Sequence, residues 1–371
     1  MGVTRRSLLI GGMCSMAAAQ APQDDWQGVG RVVAIGDVHG DCDALAAVLR
    51  MAGILDDSER WVGGRTHVVQ IGDIPARGPQ TRQAYELLMR VETAAREAGG
   101  MLHPLIGNHD AGIIYGDLRN VLPAEFAEFK EAGSEALLEH AFQEELASLR
   151  KAGTLPTRPE DLEYHKRTWF ERHPPGFVEH RAAFSPSGKY GSWIRKNNAV
   201  IRINDTLYVH AGIGPKHVRT PRSEINRIVQ RELLDAGRVP PPMASDSQGP
   251  LWYRGLAEDE ENALQTHLQA VLRFHGLKRI VIGHTVTKTA ILPRFGGQVV
   301  NVDLGLSRFY GRPPACLVLE GSSAQVLHRG VKIPLPGAKP GDFETYCRAV
   351  IEADTQPSPV EKLLPSGGRR G

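Results

Sequence analysis

The chain has 371 residues, 41% of them hydrophobic, so a sizeable folded core is expected. Its 44 basic and 42 acidic side chains give a formal net charge of +2, and no long Lys/Arg block occurs. This charge balance argues against nucleic acid as a partner. The four scattered cysteines form neither a disulfide framework nor a C-x-x-C zinc motif.

The N-terminus has the pattern of an export signal. Residues 4–9 read Thr-Arg-Arg-Ser-Leu-Leu, and an uncharged run follows as far as Ala19. The run is too short for a membrane span, and residues 17–19 give an A-x-A processing site. The paired Arg5 and Arg6 resemble a twin-arginine signal over residues 1–20. We therefore expect export to the periplasm and no stable membrane span after cleavage. An ordinary secretory signal or an uncleaved anchor is the alternative.

The next segment alternates between strand and helix patterns. Short apolar runs at residues 31–35, 66–71 and 101–106 predict buried strands. Helical spacing of apolar residues predicts a helix at 43–50 and a second that opens near Gly78-Pro79 and stops at Gly99-Gly100. This alternation predicts an α/β layered fold.

The remaining chain is predicted to complete one domain over residues 31–330. A helix-rich insertion occupies about residues 120–180, and it either caps the active-site face or is a plain packing subdomain. Strands are expected at 199–203, 206–210, 279–282 and within 290–328, with helices at 223–234 and 259–275. Residues 334–371 are rich in Pro and Gly, so a flexible tail is expected.

Five polar motifs follow directly after apolar runs. They are Gly36-Asp37-Val38-His39-Gly40, Gly72-Asp73-Ile74-Pro75-Ala76-Arg77-Gly78, Gly107-Asn108-His109-Asp110, Val209-His210-Ala211-Gly212 and Ile282-Gly283-His284-Thr285. Because ligands bind at the carboxyl ends of strands in open α/β sheets, five strand ends could bring these residues together. Their Asp, Asn and His side chains offer oxygen and nitrogen ligands without thiolate, which suits Mn, Fe or Zn.

This motif set resembles the phosphoprotein phosphatase branch of the calcineurin-like metallophosphoesterase superfamily. Finer features resemble the Shewanella-like protein phosphatases, namely Trp61-Val62-Gly63-Gly64, Gly78-Pro79, Leu251-Trp252-Tyr253-Arg254-Gly255 and Asp303-Leu304-Gly305-Leu306-Ser307 with Tyr310-Gly311. The resemblance runs from about residue 31 to 330. It implies a sandwich of mixed β-sheets flanked by helices, with a helical insertion.

The resemblance also implies a role for each motif residue. Asp37 and His39 would bind a first metal ion, Asp73 would bridge two divalent or mixed-valence ions, and three further ligands would complete the second site: Asn108, His210 and His284. A water between the ions would attack phosphorus in line. Arg77 and Arg254 would hold the phosphoryl oxygens, and His109 would protonate the leaving group. Asp303 and Tyr310 would shape the rim or support the ligands.

One position departs from the family pattern. The second motif usually ends Asp-Arg-Gly, but Ala76 replaces the acid that pairs with the His of the third motif. Ala76 can neither orient His109 nor stabilise its protonated form. Three explanations compete: a slower phosphatase, another acid near His109, or a phosphate-binding protein that has lost most of its activity. We favour the first two, because all six ligands and both arginines are present.

The leading functional hypothesis is a metal-dependent phosphatase acting on phosphate monoesters, of a phosphorylated protein or a phosphotyrosine-like aryl phosphate. A dinucleoside polyphosphate hydrolase, or another small-molecule phosphatase, is the alternative enzyme. A phosphate-binding sensor, suggested by Ala76, is the alternative from another class.

Overall fold

The computed structural model describes residues 23–235, 242–311 and 313–364. The predicted signal at residues 1–20 therefore lies outside the described residues. Within these described residues, twelve strands form two six-stranded sheets, and helices cover the outer faces. The predicted sandwich of two mixed sheets flanked by helices is confirmed.

The first sheet has the strand order β12-β11-β10-β2-β3-β4. Its strands are β2 (Arg31–Ile35), β3 (His67–Gln70), β4 (Met101–Pro104), β10 (Ala315–Glu320), β11 (Ser323–His328) and β12 (Val331–Pro334). Strands β2, β3 and β4 are parallel, with Val33 opposite Val68 and Val68 opposite Leu102. Strand β10 pairs antiparallel with β2.

The second sheet has the strand order β1-β5-β6-β7-β9-β8. Its strands are β1 (Asp25–Trp26), β5 (Val200–Ile203), β6 (Thr206–Val209), β7 (Arg279–Ile282), β8 (Leu292–Arg294) and β9 (Val299–Asn301). Strands β6, β7 and β9 are parallel to one another. Each sheet therefore contains three parallel strands whose carboxyl ends can carry site residues.

The two faces of each sheet bury different clusters. Alternate residues of a strand point to opposite faces, and in β2 Val32 and Ala34 belong to the cluster between the sheets, which also contains Tyr208 and Val300. Val33 and Ile35 belong instead to the larger cluster formed with the helices. Both faces of β2 are thus removed from water, as the continuous apolar run predicts.

Helices cover the sheets and form the region between β4 and β5. The helices are α1 (Cys42–Met51), α2 (Thr81–Glu97), α3 (Asn108–Tyr115), α4 (Pro123–Ala127), α5 (Ser134–Ala152), α6 (Pro159–Arg172), α7 (Phe177–Ala183), α8 (Lys189–Ile194), α9 (Arg222–Leu234), α10 (Gly255–Glu258), α11 (Glu261–His275) and α12 (Asp342–Ala353). Helix α2 buries Leu87, Leu88, Val91 and Ala95, the face that the sequence indicates. Helices α4 to α7 occupy the predicted insertion, and α8 continues the helical region to Ile194.

The expectation of a flexible tail from Pro334 is wrong for residues 342–364. Helix α12 buries Tyr346, Cys347 and Val350 against the cluster between the sheets, and Tyr346 donates a hydrogen bond to the Ile291 carbonyl at 2.6 Å. The Pro/Gly-rich stretch before α12 is a connection to this packed helix, and residues 365–371 lie outside the described part. Among the described helices, none is long and apolar enough to cross a membrane.

Candidate active site

Six strands, three parallel strands from each sheet, have their carboxyl ends at one place. The predicted residues follow β2 (Asp37, His39), β3 (Asp73, Arg77), β4 (Asn108, His109), β6 (His210), β7 (His284) and β9 (Asp303). The backbone turns sharply at these ends. Ten non-glycine residues of the described chain have a positive φ, and five of them lie in these motifs: His39, Asp73, Ala76, Arg77 and His284. Such strain clusters at functional sites, where surrounding contacts hold it.

Asp73 lies at the centre of two groups of possible metal ligands. Its Oδ2 lies 4.0 Å from His39 Nε2 and 3.8 Å from His109 Nε2. Its Oδ1 lies 3.4 Å from His210 Nε2, and His284 completes this second group. Within each group the ligand atoms lie within 4.8 Å of one another. One carboxylate therefore faces two clusters from its two oxygens.

Hydrogen bonds fix the orientation of these side chains. His210 Nδ1 pairs with the Ile71 carbonyl at 3.0 Å, which turns Nε2 toward Asp73 and toward Asn108 Oδ1, 3.0 Å away. His39 Nδ1 similarly pairs with the Pro75 carbonyl at 3.3 Å. Fixing one ring nitrogen in this way leaves the other to face a ligand.

Glycine is required where Asp73 meets the third motif. A Cβ on Gly107 would lie 2.3 Å from both the amide nitrogen and Oδ1 of Asp73. Its absence lets the start of α3 approach Asp73, whose Oδ1 accepts a hydrogen bond from the His109 N–H at 2.8 Å. The glycine of this motif thus has a steric reason.

Asp37 lies beside His39, with 3.9 Å between Asp37 Oδ2 and His39 Nε2. Its carboxylate accepts from the His284 N–H, at 3.2 Å to each oxygen. Burial, together with repulsion from Asp303 and Asp73, raises the pKa of Asp37 well above its usual range. A buried cluster of carboxylates is electrostatically unfavourable without a cation among them.

The imidazoles of the site are suited to metal binding. Burial lowers the pKa of His39 to about 3 and that of His284 to about 2, so both rings are neutral near pH 7. Burial opposes ionisation of Asp73, but His210 and His109 lower its pKa well below the usual value. Neutral imidazole and ionised carboxylate are the forms that bind metals. His284 Nε2 is buried without a hydrogen-bond partner, as a ligand atom would be before it binds an ion. The residues therefore fit the metal ions that the sequence predicts.

A cleft of about 380 Å³ opens onto this centre. Its walls include Asp73, Asn108, His109, His284, Arg77, Arg254 and Trp252. Arg254 Nη1 donates to the His284 carbonyl at 3.2 Å and to Thr285 Oγ1 at 3.0 Å. Arg77 Nη1 lies 2.9 Å from His39 Nε2 and donates to Tyr310 Oη. Two guanidinium groups thus face a pocket whose floor is formed by possible metal ligands.

A family model described as "Calcineurin-like phosphoesterase" matches residues 30–288, most of the chain. The chain belongs to the calcineurin-like phosphoesterase family. It is 28% identical to Shewanella-like protein phosphatase 2 of Arabidopsis thaliana, over 75% of this chain and 72% of the relative. It is 22% identical to Shewanella-like protein phosphatase 1 of Plasmodium berghei (strain Anka), over 76% of this chain and 70% of the relative.

Solved structures agree with this assignment. The fold superposes on a cold-active protein tyrosine phosphatase with a TM-score of 0.64 and 26% identity, covering 84% of this chain and 80% of that one. A cold-active protein-tyrosine phosphatase from a psychrophilic Shewanella species gives 0.63 and 26%, covering 84% and 82%. Family and relatives identify this calcineurin-like phosphoesterase as a phosphatase.

The structure explains how this phosphoesterase accommodates Ala76. Ala76 is buried, and its N–H donates to Glu125 Oε2 at 3.2 Å. Asp110, next to His109 in sequence, turns away: its carboxylate accepts from the N–H groups of Asp73 and Gly107 and from the Tyr85 hydroxyl. Neither position supplies the acid that His109 lacks.

Sequence reasoning missed a second carboxylate in the cleft. Asp117, just after α3, lines the cleft together with His109 and is among the groups that raise the pKa of His109, although burial lowers that pKa overall. Arg119 and Asn120 line the same wall, and Arg119 binds Asp117 at 2.6 Å. No motif marks these residues, because they come from the irregular segment between α3 and α4. Only their closeness in sequence to the third motif hints at them.

Proposed function

We propose that this phosphatase uses two metal ions, drawn from Mn, Fe and Zn, to hydrolyse phosphate monoesters. The sharing of Asp73 between the His39 side and the His210–His284 side carries the proposal. A carboxylate that presents one oxygen to each cluster is the expected ligand between two ions. We assign Asp37 and His39 to one ion, with Asn108, His210 and His284 on the other.

Metal ions bound there would supply the charge that lowers the pKa of water and neutralises the phosphoryl oxygens. Arg77 and Arg254 would bind the non-bridging oxygens, since a guanidinium matches phosphate with two parallel hydrogen bonds. Arg77 Nη1 and an ion cannot share the lone pair of His39 Nε2. Metal binding by His39 would therefore release this N–H group for the substrate.

We assign His109 as the proton donor to the leaving group. His109 lines the cleft and is 11% exposed, whereas His39 is 1% exposed and His210 is fully buried. Its Nε2 lies as close to Asp73 as that of His39 does, so the alternative role is that of a further metal ligand. Burial lowers the pKa of His109 overall, and the charges of Asp73 and Asp117 oppose that lowering.

The proposed substrate is a phosphorylated protein, with phosphotyrosine as the first residue to test. Two similar solved structures, each 26% identical to this chain, are named as protein tyrosine phosphatases. The aromatic ring of Trp252 in the cleft wall offers a surface against which an aryl leaving group can pack.

The test compares three substrates on the purified mature chain: a phosphotyrosine peptide, the matched phosphoserine peptide and a dinucleoside polyphosphate. Each is assayed with Mn²⁺, Fe²⁺ or Zn²⁺ and with a chelator. We expect metal-dependent turnover, fastest on phosphotyrosine. Turnover of the dinucleotide alone would favour the small-molecule alternative, for which Arg119 offers a third arginine in the cleft. No turnover with any metal would favour the phosphate-binding alternative.

We also propose that the chain is exported to the periplasm by the twin-arginine route. The pattern at residues 4–9 and the Ala-Ala-Ala site support this. Replacing Arg5 and Arg6 with Lys should retain the protein in the cytoplasm, as measured by cell fractionation. Unchanged export of that variant would favour an ordinary secretory signal.

A further inference from the structure

The helical region between β4 and β5 binds the backbone of the loop after β3 at two consecutive residues, Ala76 and Arg77. The Arg77 N–H donates to the Asn120 carbonyl at 2.9 Å, and the Ala76 N–H donates to Glu125 Oε2 at 3.2 Å. Both residues have positive φ angles, 65° for Arg77 and 69° for Ala76. A non-glycine residue keeps this strained conformation when surrounding contacts hold it, and these two hydrogen bonds are such contacts.

Glu125 is unusual for a carboxylate, because it is completely buried. Its side chain is 0% exposed, and its other oxygen, Oε1, lies 3.4 Å from Nε2 of His180, which is also 0% exposed. The His180 ring packs edge-on against Phe126 and Phe129, each with 4.9 Å between ring centroids. The glutamate is therefore held between α7 on one side and the Ala76 backbone on the other.

Burial of such a group is costly unless its polar atoms are used. Glu125 uses one oxygen on the loop that carries Arg77 and the other on the helical region. Arg77 in turn reaches His39 and Tyr310 at the metal-binding centre. A continuous path of contacts thus joins the buried glutamate to the guanidinium group.

We propose that Glu125 is a positioning residue that fixes the Ala76–Arg77 backbone and thereby orients the Arg77 guanidinium group to bind phosphate. The inference rests on the phosphate-binding role proposed for Arg77. In this proposal the helical region supports the backbone of the loop that carries Arg77, which is a function other than that of a lid.

The test uses the metal-loaded full chain with inorganic phosphate as a competitive inhibitor. Glu125→Leu removes the acceptor, and Glu125→Gln keeps an oxygen for the Ala76 N–H. Glu128→Leu is the matched control, because Glu128 accepts from the Arg82 N–H at the start of α2, away from the loop. If Glu125→Leu does not fold, Glu125→Asp replaces it, since a side chain shorter by one carbon cannot keep both contacts.

We expect the inhibition constant of phosphate to rise about 10-fold in Glu125→Leu or Glu125→Asp and to stay near wild type in Glu125→Gln and Glu128→Leu. In the Arg77→Ala background the Glu125 change should add little, because both act through one guanidinium group. Amide exchange at residues 76 and 77, followed by mass spectrometry, should accelerate in Glu125→Leu but not in Glu128→Leu.

The outcomes separate this inference from the proposed function. A wild-type inhibition constant in Glu125→Leu and Glu125→Asp overturns the inference and leaves the role of Arg77 intact. The same conclusion follows if the effects of Glu125→Leu and Arg77→Ala on the inhibition constant multiply in the double variant. A wild-type inhibition constant in Arg77→Ala itself overturns the proposed role of Arg77, and the inference with it.

Discussion

Asp73 Oδ1 lies 3.4 Å from His210 Nε2 in the buried centre of the site. Each group affects the ionisation of the other, since burial opposes the ionisation of Asp73 but His210 lowers its pKa. Although burial disfavours a charged imidazole, Asp73 raises the pKa of His210. An ion at this place would take over the attraction, so the two side chains are poised to share a cation.

Replacing Asp73 with Asn should therefore remove metal and activity together. The change keeps the shape of the side chain but removes the charge that faces both clusters. Loss of an indirect partner of a metal ligand already costs about 10- to 100-fold, so we expect turnover to fall by more than about 100-fold. Metal content per chain, measured by mass spectrometry, should fall as well. The control is Asp246→Asn, a partly buried carboxylate paired with Lys216 and His217 outside the cleft. Full metal content in Asp73→Asn would contradict the assignment.

Restoring the family acid with Ala76→Asp tests the proton-donating half of the site. We expect faster turnover of an alkyl phosphate, whose poor leaving group needs protonation, and little change with a nitrophenyl phosphate. Position 76 is buried beside Glu125, so the new carboxylate should also lower the thermal stability. Ala76→Asn is the control for size. Equal effects of Asn and Asp on the alkyl substrate would show that no acid is limiting there.

Arg119 should matter only for substrates that carry a second negative group. Its guanidinium is 79% exposed at the cleft and paired with Asp117, so it can turn toward a substrate. Arg119→Ala should raise KM about 3- to 10-fold for a phosphopeptide with neighbouring acidic residues and leave a small aryl phosphate unchanged. Arg158→Ala is a matched control, because Arg158 makes the same two-pronged contact with Asp161 at the start of α6. Equal effects of both variants would assign the change to general charge.

The clustering of the proposed metal ligands could be predicted because these residues follow regular strands. Each proposed ligand comes within four residues of a strand end, and the three parallel strands of each sheet bring these ends to one place. Local pattern and general topology therefore suffice to place Asp37, Asp73 and His284 together. The polar residue types then indicate the chemistry.

The residues that could not be predicted are positioned by tertiary packing alone. Asp117 enters the cleft from an irregular segment, and Glu125 reaches the second motif from a five-residue helix. Nothing in the sequence around Glu125 separates it from the exposed glutamates of the same region. Helix α12 was hidden for a related reason, since the Pro and Gly residues around it indicate a loop more strongly than its short apolar face indicates a helix.

Deleting residues 336–371 should destabilise the whole domain. The deletion uncovers the surface that Tyr346, Cys347 and Val350 bury, and each such side chain contributes roughly 1.5–3 kcal/mol. For a domain of this size we expect the melting temperature to fall by about 10 °C or more. A chain lacking only residues 365–371 is the control and should melt like the full chain. Equal melting of the longer deletion would show that α12 contributes little stability.

The free energy of unfolding of the domain should depend on pH through the ionisation of Glu125. Burial raises the pKa of its carboxyl to about 8, repulsion from Glu128 adds to the rise, and polar contacts from Thr81 and the Ala76 N–H oppose it. His180, which faces Glu125 from α7, has a pKa lowered by burial to about 3. Near neutral pH the two groups are therefore an uncharged hydrogen-bonded pair rather than an ion pair.

Because the folded pKa lies above the unfolded value of about 4.5, the folded chain holds this proton more tightly. The resulting stability is fully present below pH 4.5 and is lost as the pH rises toward 8. The side chain at position 125 cannot ionise in Glu125→Gln, so this variant does not lose that stability as the pH rises. Its free energy of unfolding relative to wild type should therefore rise with pH by a few kcal/mol between about pH 5 and 8 and then level off. Urea denaturation at several pH values measures this difference. A constant difference across that range would show that the buried glutamate does not change its charge on unfolding.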